Sequence, residues 1–418
     1  MGVTVVEKGL TCAHCGSGVH PGDAFCEACG AAVLAASGSA SSGSASSGSG
    51  SASPGSVDQL PAPTPGPLPT DGAGFAAATS VLDAPHAQSS VCELCGGAIT
   101  DDGFCDTCGA KARTWRDHWT ETPAPWVGAV CDKGIRHARN EDAVATAATA
   151  SATEPGAYAV LVVCDGVTSA PDSDQASLAA ATEACDHLVG AARAAVRHGG
   201  APVTNAAAVE ASVRALSAAG RVAQVAVLGV TERLAQAAPG GVLSEPPSCT
   251  FVAAVLTGRR LAVGWCGDSR AYWLGDDGDQ RQLSIDHSLA SELIAGGMSR
   301  VEAEQDPTAH TITRWLGADS ANSSPDTVTL DVAGSGWLLV CSDGLWNYAS
   351  SPAELAALVA AARADGATSP TAIAESLAAY ANDRGGHDNI SVALASVEPE
   401  PEPEFASPTE PLPPPEET

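Results

Sequence analysis

The sequence predicts an α+β fold, antiparallel sheets covered by helices on their outer faces, with two small metal-binding units ahead of it. Three observations predict it. Apolar, β-branched runs come in groups, and 250–257 is joined to 260–266 by a tight turn at Gly258, which marks a hairpin. Alanine-rich runs of helical period fall in blocks between those groups, and such segregation favours helices layered outside antiparallel sheets. C-x-x-C pairs occur as two paired sets near the start, the spacing of small zinc-held units.

Taken in order, residues 1–34 form a zinc-ribbon-like unit around Cys12, Cys15, Cys26 and Cys29. Segment 35–88 is Ser/Gly- and then Pro-rich. It cannot bury enough apolar surface to offset chain entropy, so it reads as a flexible linker. A second unit, 89–112, carries Cys92, Cys95, Cys105 and Cys108, and 113–124 reads as a further linker. The main domain spans 125–397. Its strands are expected at 127–131, 157–164, 250–257, 260–266, 270–274, 337–342 and 389–396, and its helices at 175–198, 206–237, 353–364 and 371–382. Strands 157–164 and 337–342 are apolar almost throughout, as when both faces are covered. The acidic, Pro-rich 398–418 is expected to be disordered.

The 418 residues include 49 acidic against 20 basic, a formal charge of −29. Such a surface repels nucleic acid and anionic membranes and favours divalent cations. No apolar run reads as a bilayer span, and the start, "MGVTVVEKGL", has no signal-peptide core. Eight of 14 cysteines sit in C-x-x-C pairs. The pattern fits zinc ligation plus free thiols in a reducing cytoplasm, not a disulfide scaffold. The spacers within the paired sets are ten and nine residues, and Gly16, Gly30, Gly96 and Gly109 each follow a second cysteine. Four thiolates close a zinc site, so each unit is expected to bind one structural Zn2+ that supplies most of its folding energy. Acidic residues such as Asp101, Asp102 and Asp106 argue against a nucleic-acid role. A tether to a protein partner is the expected use.

Several apolar runs end on a carboxylate: "VVCDGV" at Asp165, "WCGDSR" at Asp268 and "VCSDGL" at Asp343. Asp142 in "RNEDA" and Asp388 in "GGHDNIS" add two more. Singly, each reads as a turn or cap. Together, carboxylates at neighbouring strand ends would repel unless a cation neutralised them. Hard oxygen ligands select Mg2+ or Mn2+, and two such ions about 3.5–4 Å apart are a device for in-line attack on phosphorus.

The ordered set "CDKGIRHARNEDA", "VVCDGV", "CTFVAAV", "WCGDSRAYW", "IDHSLASELIAGG", "TRWLG", "VCSDGLWN" and "GGHDNISV" resembles the metal-dependent serine/threonine protein phosphatases of the 2C type, bacterial branch. The resemblance covers about 125–397. It implies an α-β-β-α sandwich with metals in the cleft at one edge. It further implies that Asp142, Asp165, Asp343 and Asp388 hold two Mn2+ or Mg2+ ions, with Asp165 bridging, the Gly166 carbonyl on one ion and Glu141 acting through water. Asp268 would serve a third, looser site, and Asn389 would brace the loop. The implied reaction is direct attack of a metal-bridging hydroxide on phosphoserine or phosphothreonine of protein substrates, opposing bacterial kinases.

The chain also departs from the family. Where bacterial members place a phosphate-holding arginine, this chain has His137, flanked by Arg136 and Arg139. Arg136 is the expected substitute, with His137 as a second phosphate ligand or proton donor. Val167 stands where some relatives carry a histidine, and Asn347 where some carry an aspartate for the third metal. Segment 288–313 would lie near a mobile flap, and two readings stand for it: a role in substrate selectivity, or a plain helix and surface loop with no such role. The departures leave a rival reading, a phosphatase-shaped adaptor recruiting partners through its zinc units. Retention of all four core aspartates argues for the enzyme.

Overall fold

The structure, a computed structural model, describes residues 10–11, 18–19, 90–92, 95–197, 205–299, 302–303, 306, 308–309 and 311–398. Two compact units result, Met1–Ala77 and Ala78–Thr418. In the first, β1 (Leu10–Thr11) pairs antiparallel with β2 (Gly18–Val19). Cys12, Cys15, Cys26, Cys29, segment 35–88 and the tail beyond Glu398 lie outside the described residues.

The second unit contains two antiparallel sheets. The six-stranded sheet runs β10 (Gln280–Gln282), β9 (Arg270–Gly275), β12 (Gly336–Cys341), β13 (Ile390–Val397), β4 (Val127–Asp132), β3 (His118–Ala124). The five-stranded sheet runs β11 (Asp326–Asp331), β8 (Arg260–Cys266), β7 (Phe251–Thr257), β6 (Tyr158–Cys164), β5 (Ala143–Ala148). Helices α1 (Ser173–Arg197) and α2 (Asn205–Ala237) cover the five-stranded sheet. The short α3 (Leu289–Ala295) is capped by Ser288, whose hydroxyl accepts from Ser291 N–H. Helices α4 (Asp343–Trp346), α5 (Pro352–Ala364) and α6 (Pro370–Asp383) cover the six-stranded sheet. This is the α-β-β-α sandwich expected.

Side-chain alternation explains the continuous apolar strands. Along β6, Ala159, Leu161 and Val163 enter the core between the sheets, while Tyr158, Val160, Val162 and Cys164 pack beneath α1 and α2. Along β12, Leu338 and Val340 face inward, and Leu339 and Cys341 face α5 and α6. Each fully buried Leu or Val contributes about 1.5–3 kcal/mol of transfer free energy.

Four strands differ from the sequence reading. Residues 118–124, expected as linker, form edge strand β3. Its run "HWTETPA" points Trp119, Glu121 and Ala124 inward, so a buried carboxylate and a proline hide the alternation. An edge position tolerates that proline. Strand β5 is alanine-rich, and the edge strands β10 and β11 are mostly polar, so none gives a β-branched run. Among the described residues, α2 is long and apolar enough, by length and composition, to cross a membrane, contrary to the sequence reading. Here its stripe Leu216, Ala219, Ala223 and Val227 is buried in the core against the sheet.

Candidate active site

Sheet register builds the site. Ala143 of β5 pairs with Cys164 of β6, so Asp142, just before one strand, stands beside Asp165, just after the other. Cys341 of β12 pairs with both Val392 of β13 and Arg270 of β9. Asp343, Asp388 and Asp268 therefore leave the six-stranded sheet at one end. Burial comes first and then the neighbouring aspartates, and together they push Asp165 and Asp343 well above the usual carboxylate range. Burial raises Asp142 to about 6 and, with Asp286 beside it, Asp268 to about 7.

Neutral side chains hold this edge. Ser342 Oγ donates to Asp142 Oδ2 at 2.7 Å and accepts from Ser391 N–H at 3.0 Å. Thr250 Oγ1 accepts from Asp165 N–H at 3.0 Å and contacts Ser269 Oγ at 2.7 Å, tying the Asp165 turn to the Asp268 turn. Asn389 Oδ1 accepts from Glu141 N–H at 2.7 Å, and its Nδ2 donates to the carbonyls of Lys133 (2.7 Å) and Arg139 (3.2 Å). These bonds join the loops that carry Lys133, Arg139 and Glu141. At Gly166 a Cβ would meet the Glu141 carbonyl at 2.5 Å, so only glycine lets these loops approach. Asn347 Nδ2 donates to Asp343 Oδ2 at 3.1 Å; the amide supports a carboxylate where some relatives would add one.

The cations of the Asn-Glu-Asp loop take different places. Arg139 Nε and Nη2 donate to Glu141 Oε1 at 2.8 and 2.6 Å. His137 Nε2 lies 3.2 Å from Asp388 Oδ1. Arg136 is exposed, its backbone N–H bonded to the Gly386 carbonyl. Residues that sequence reasoning missed include Ser342, Thr250, Ser269, Asn140 and Arg116. Ser342, Ser269 and Asn140 sit inside the acidic strand-end motifs but carry no charge, and hydroxyl or amide supports have no spacing to betray them.

The arrangement fits divalent cations. Asp142 Oδ1 and Asp343 Oδ1 are buried without a hydrogen-bond partner, a cost that a cation would remove. The carboxylates are spread more widely than the thiols: among the described residues, Cys92, Cys95, Cys105 and Cys108 alone bring three or more ligand atoms all within 4.8 Å. Wider spacing suits Mg2+ or Mn2+, which keep several waters.

In the cysteine unit, Cys92 and Cys108 sulfurs stand 3.6 Å apart and those of Cys95 and Cys105 3.4 Å. Gly97 and Thr107 N–H groups donate to Cys95 and Cys105 sulfur. Gly96 and Gly109 have φ of 75° and 71°, the left-handed turn that glycine permits. Donation from Cys108 N–H leads in lowering the Cys105 thiol to about 6. Gly97 N–H acts the same way on Cys95, but its neighbouring thiols drive that group up to about 12. Four sulfurs drawn this close are a donor set for one tetrahedral metal ion.

Residues 134–379 match the family model of protein phosphatase 2C. This chain belongs to the protein phosphatase 2C family. Within the family it is 35% identical over 146 residues to the serine/threonine phosphatase stp of Listeria innocua, covering 35% of this chain and 55% of that protein. It is 37% identical over 135 residues to protein phosphatase PhpP of Streptococcus pneumoniae, covering 31% of this chain and 50% of that protein. The match thus spans about half the length of these relatives. The S. agalactiae serine/threonine phosphatase structure aligns with 67% of this chain and 100% of its own, at 23% identity and a TM-score of 0.48. The protein phosphatase 2C match begins at 134, so the cysteine unit and β3 lie ahead of it.

Proposed function

We propose that the chain is a metal-dependent protein serine/threonine phosphatase, a phosphoric monoester hydrolase acting on phosphoserine and phosphothreonine in proteins. The observation that carries this is the convergence of five carboxylates from separate strand ends on one sheet edge, where Asp142 Oδ1 and Asp343 Oδ1 are buried without a hydrogen-bond partner. Asp142, Asp165, Asp343 and Asp388, with the Gly166 carbonyl, would hold two Mn2+ or Mg2+ ions. Glu141 would act through water, and Asp268 would serve a looser third ion. When bound, the ions supply an activated water and neutralise phosphate charge.

The chain's own residues do the rest. Arg136, exposed, docks the substrate phosphate with its guanidinium fork, since Arg139 is engaged by Glu141. A water at the ions would be the first source of the proton for the leaving alkoxide, and His137, 3.2 Å from Asp388, the second. Burial pushes the thiols of Cys164, Cys266 and Cys341 up, so these cysteines are packing groups, not nucleophiles. The cysteine quartet would hold one Zn2+ and offer a docking knob to a protein partner, and its reduced thiols fit a cytoplasmic setting.

The test is hydrolysis of a phosphothreonine peptide with and without Mn2+, beside Asp165→Asn. Turnover that requires Mn2+ and falls to background in the variant is expected. A folded, Mn2+-loaded wild type without turnover would overturn the reading and leave the adaptor.

A further inference from the structure

We infer that Arg116 is a positioning residue for the loop carrying Glu141 and Asp142, and that through it the folding state of the Cys92–Cys108 unit sets the metal affinity of the catalytic edge. The inference rests on the phosphatase reading.

Arg116 lies in the connector between the two sites. Its Nη2 donates to the carbonyls of Asn140 (3.2 Å) and Asp142 (2.9 Å), bracketing Glu141. Asn140 Nδ2 returns a bond to the Arg116 carbonyl at 2.9 Å, and Asn140 Oδ1 accepts from Asp142 N–H at 3.2 Å. Nε and Nη1 of Arg116 are buried without hydrogen-bond partners. Aromatic faces take their place: the guanidinium stands 5.6 Å from the Trp115 ring centroid and 5.4 Å from that of Trp119. A guanidinium so desolvated gains from cation–π contact, and its single Nη2 holds two carbonyls at once. Both carbonyls belong to residues of the ligand-bearing loop, so their position sets where Glu141 and Asp142 aim.

The same turn follows the cysteine unit directly along the chain. Cys105 N–H donates to the Ala110 carbonyl at 2.8 Å, and Ala112 N–H to the Gly103 carbonyl at 2.7 Å. Thr114 then opens the turn Trp115–Asp117, its N–H donating to Asp117 Oδ2 at 2.7 Å. One residue, Arg113, lies between Ala112, which is bonded into the unit, and Thr114. Asp117 extends the grip: its carbonyl accepts from Lys133 N–H at 2.9 Å, and the Lys133 carbonyl accepts from Asn389. A quartet that loses its metal loses the organisation of residues 103–112, and the turn loses its fixed entry.

The experiment measures Mn2+ binding to the full chain by calorimetry, and the Mn2+ dependence of phosphothreonine-peptide turnover. Arg116→Ala is expected to weaken Mn2+ binding about tenfold to hundredfold, the range for groups that orient metal ligands. KM for the peptide at saturating Mn2+ should stay within about twofold. Arg116→Lys should restore part of the affinity, and it stands in if the alanine variant fails to fold. Cys105→Ser should lose Zn2+ and weaken Mn2+ binding similarly, and the double variant should be no worse than the weaker single one. Wild-type Mn2+ affinity in a zinc-free Cys105→Ser protein would overturn the coupling and make the unit an independent tether. Wild-type affinity in Arg116→Ala would reduce Arg116 to packing. A wild type that binds Mn2+ but hydrolyses nothing would sink the phosphatase reading, while calorimetry still decides the coupling.

Discussion

The cysteine unit and the carboxylate edge both gather groups able to hold metal, and the chain assembles them by different routes. The quartet Cys92, Cys95, Cys105 and Cys108 comes from 17 consecutive positions and draws its ligand atoms within 4.8 Å. The carboxylates come from Asp142 to Asp388, and no short peptide could bring them together. Backbone turns with glycine at positive φ organise the first. The second depends on eleven strands in register and on hydroxyl and amide supports between them. A local cluster should therefore form wherever its metal is present, and a register-built cluster only in the folded domain.

The largest expected effect breaks that contrast directly. A peptide of residues 89–112 should take one Co2+ or Zn2+, with the absorption bands of tetrahedral thiolate ligation for Co2+. A peptide of residues 132–146, carrying Glu141 and Asp142, should show no Mn2+ binding by calorimetry. Equal behaviour of the two peptides would end the distinction.

A smaller effect sharpens it at the carboxylate edge. Ser342→Ala removes the hydroxyl that donates to Asp142 and accepts from Ser391 N–H. Mn2+ affinity of the full chain should fall about tenfold, as for other outer partners of metal ligands, with Zn2+ content unchanged by elemental analysis. A loss of Zn2+ with Mn2+ binding intact would reverse the assignment of supports.

The smallest effect lies away from both sites. Glu121 of β3 is buried between the sheets, and burial raises its pKa to about 7, although Thr146 N–H and Oγ1 both donate to its Oε2 at 2.7 Å. A carboxyl with a raised folded-state pKa stabilises the fold while protonated and loses that contribution as pH climbs from its unfolded value through about 7. Glu121→Gln should raise the melting temperature at pH 8 by a few degrees, roughly up to 3 kcal/mol, and make little difference at pH 4. An equal shift at both pH values would point to packing instead of charge.

The acidic residues of the candidate edge were legible because Asp165, Asp268 and Asp343 follow apolar runs, and Asp142 and Asp388 stand in short motifs just before strands, patterns visible in one dimension. Edge strand β3 was not, since Glu121 and Pro123 interrupt its alternation and its partners lie on β4. Strand β5, "AVATAA", reads as neither helix nor strand until β6 pairs with it. Of the cations around His137, the sequence named all three candidates. Only side-chain placement separated the exposed Arg136 from the Arg139 held by Glu141.

The sequence by itself determined the layered α+β class, the identity of the acidic residues at the strand ends and the thiol quartet. Each depends on periodicity or on spacing within a few residues, which the chain carries locally. Tertiary structure alone decided which strands neighbour one another, which neutral groups support Asp142, Asp165 and Glu141, and that Arg116 donates to the carbonyls of Asn140 and Asp142. Those facts join residues far apart in the chain, and packing and register fix them only once the two sheets have closed on their common core.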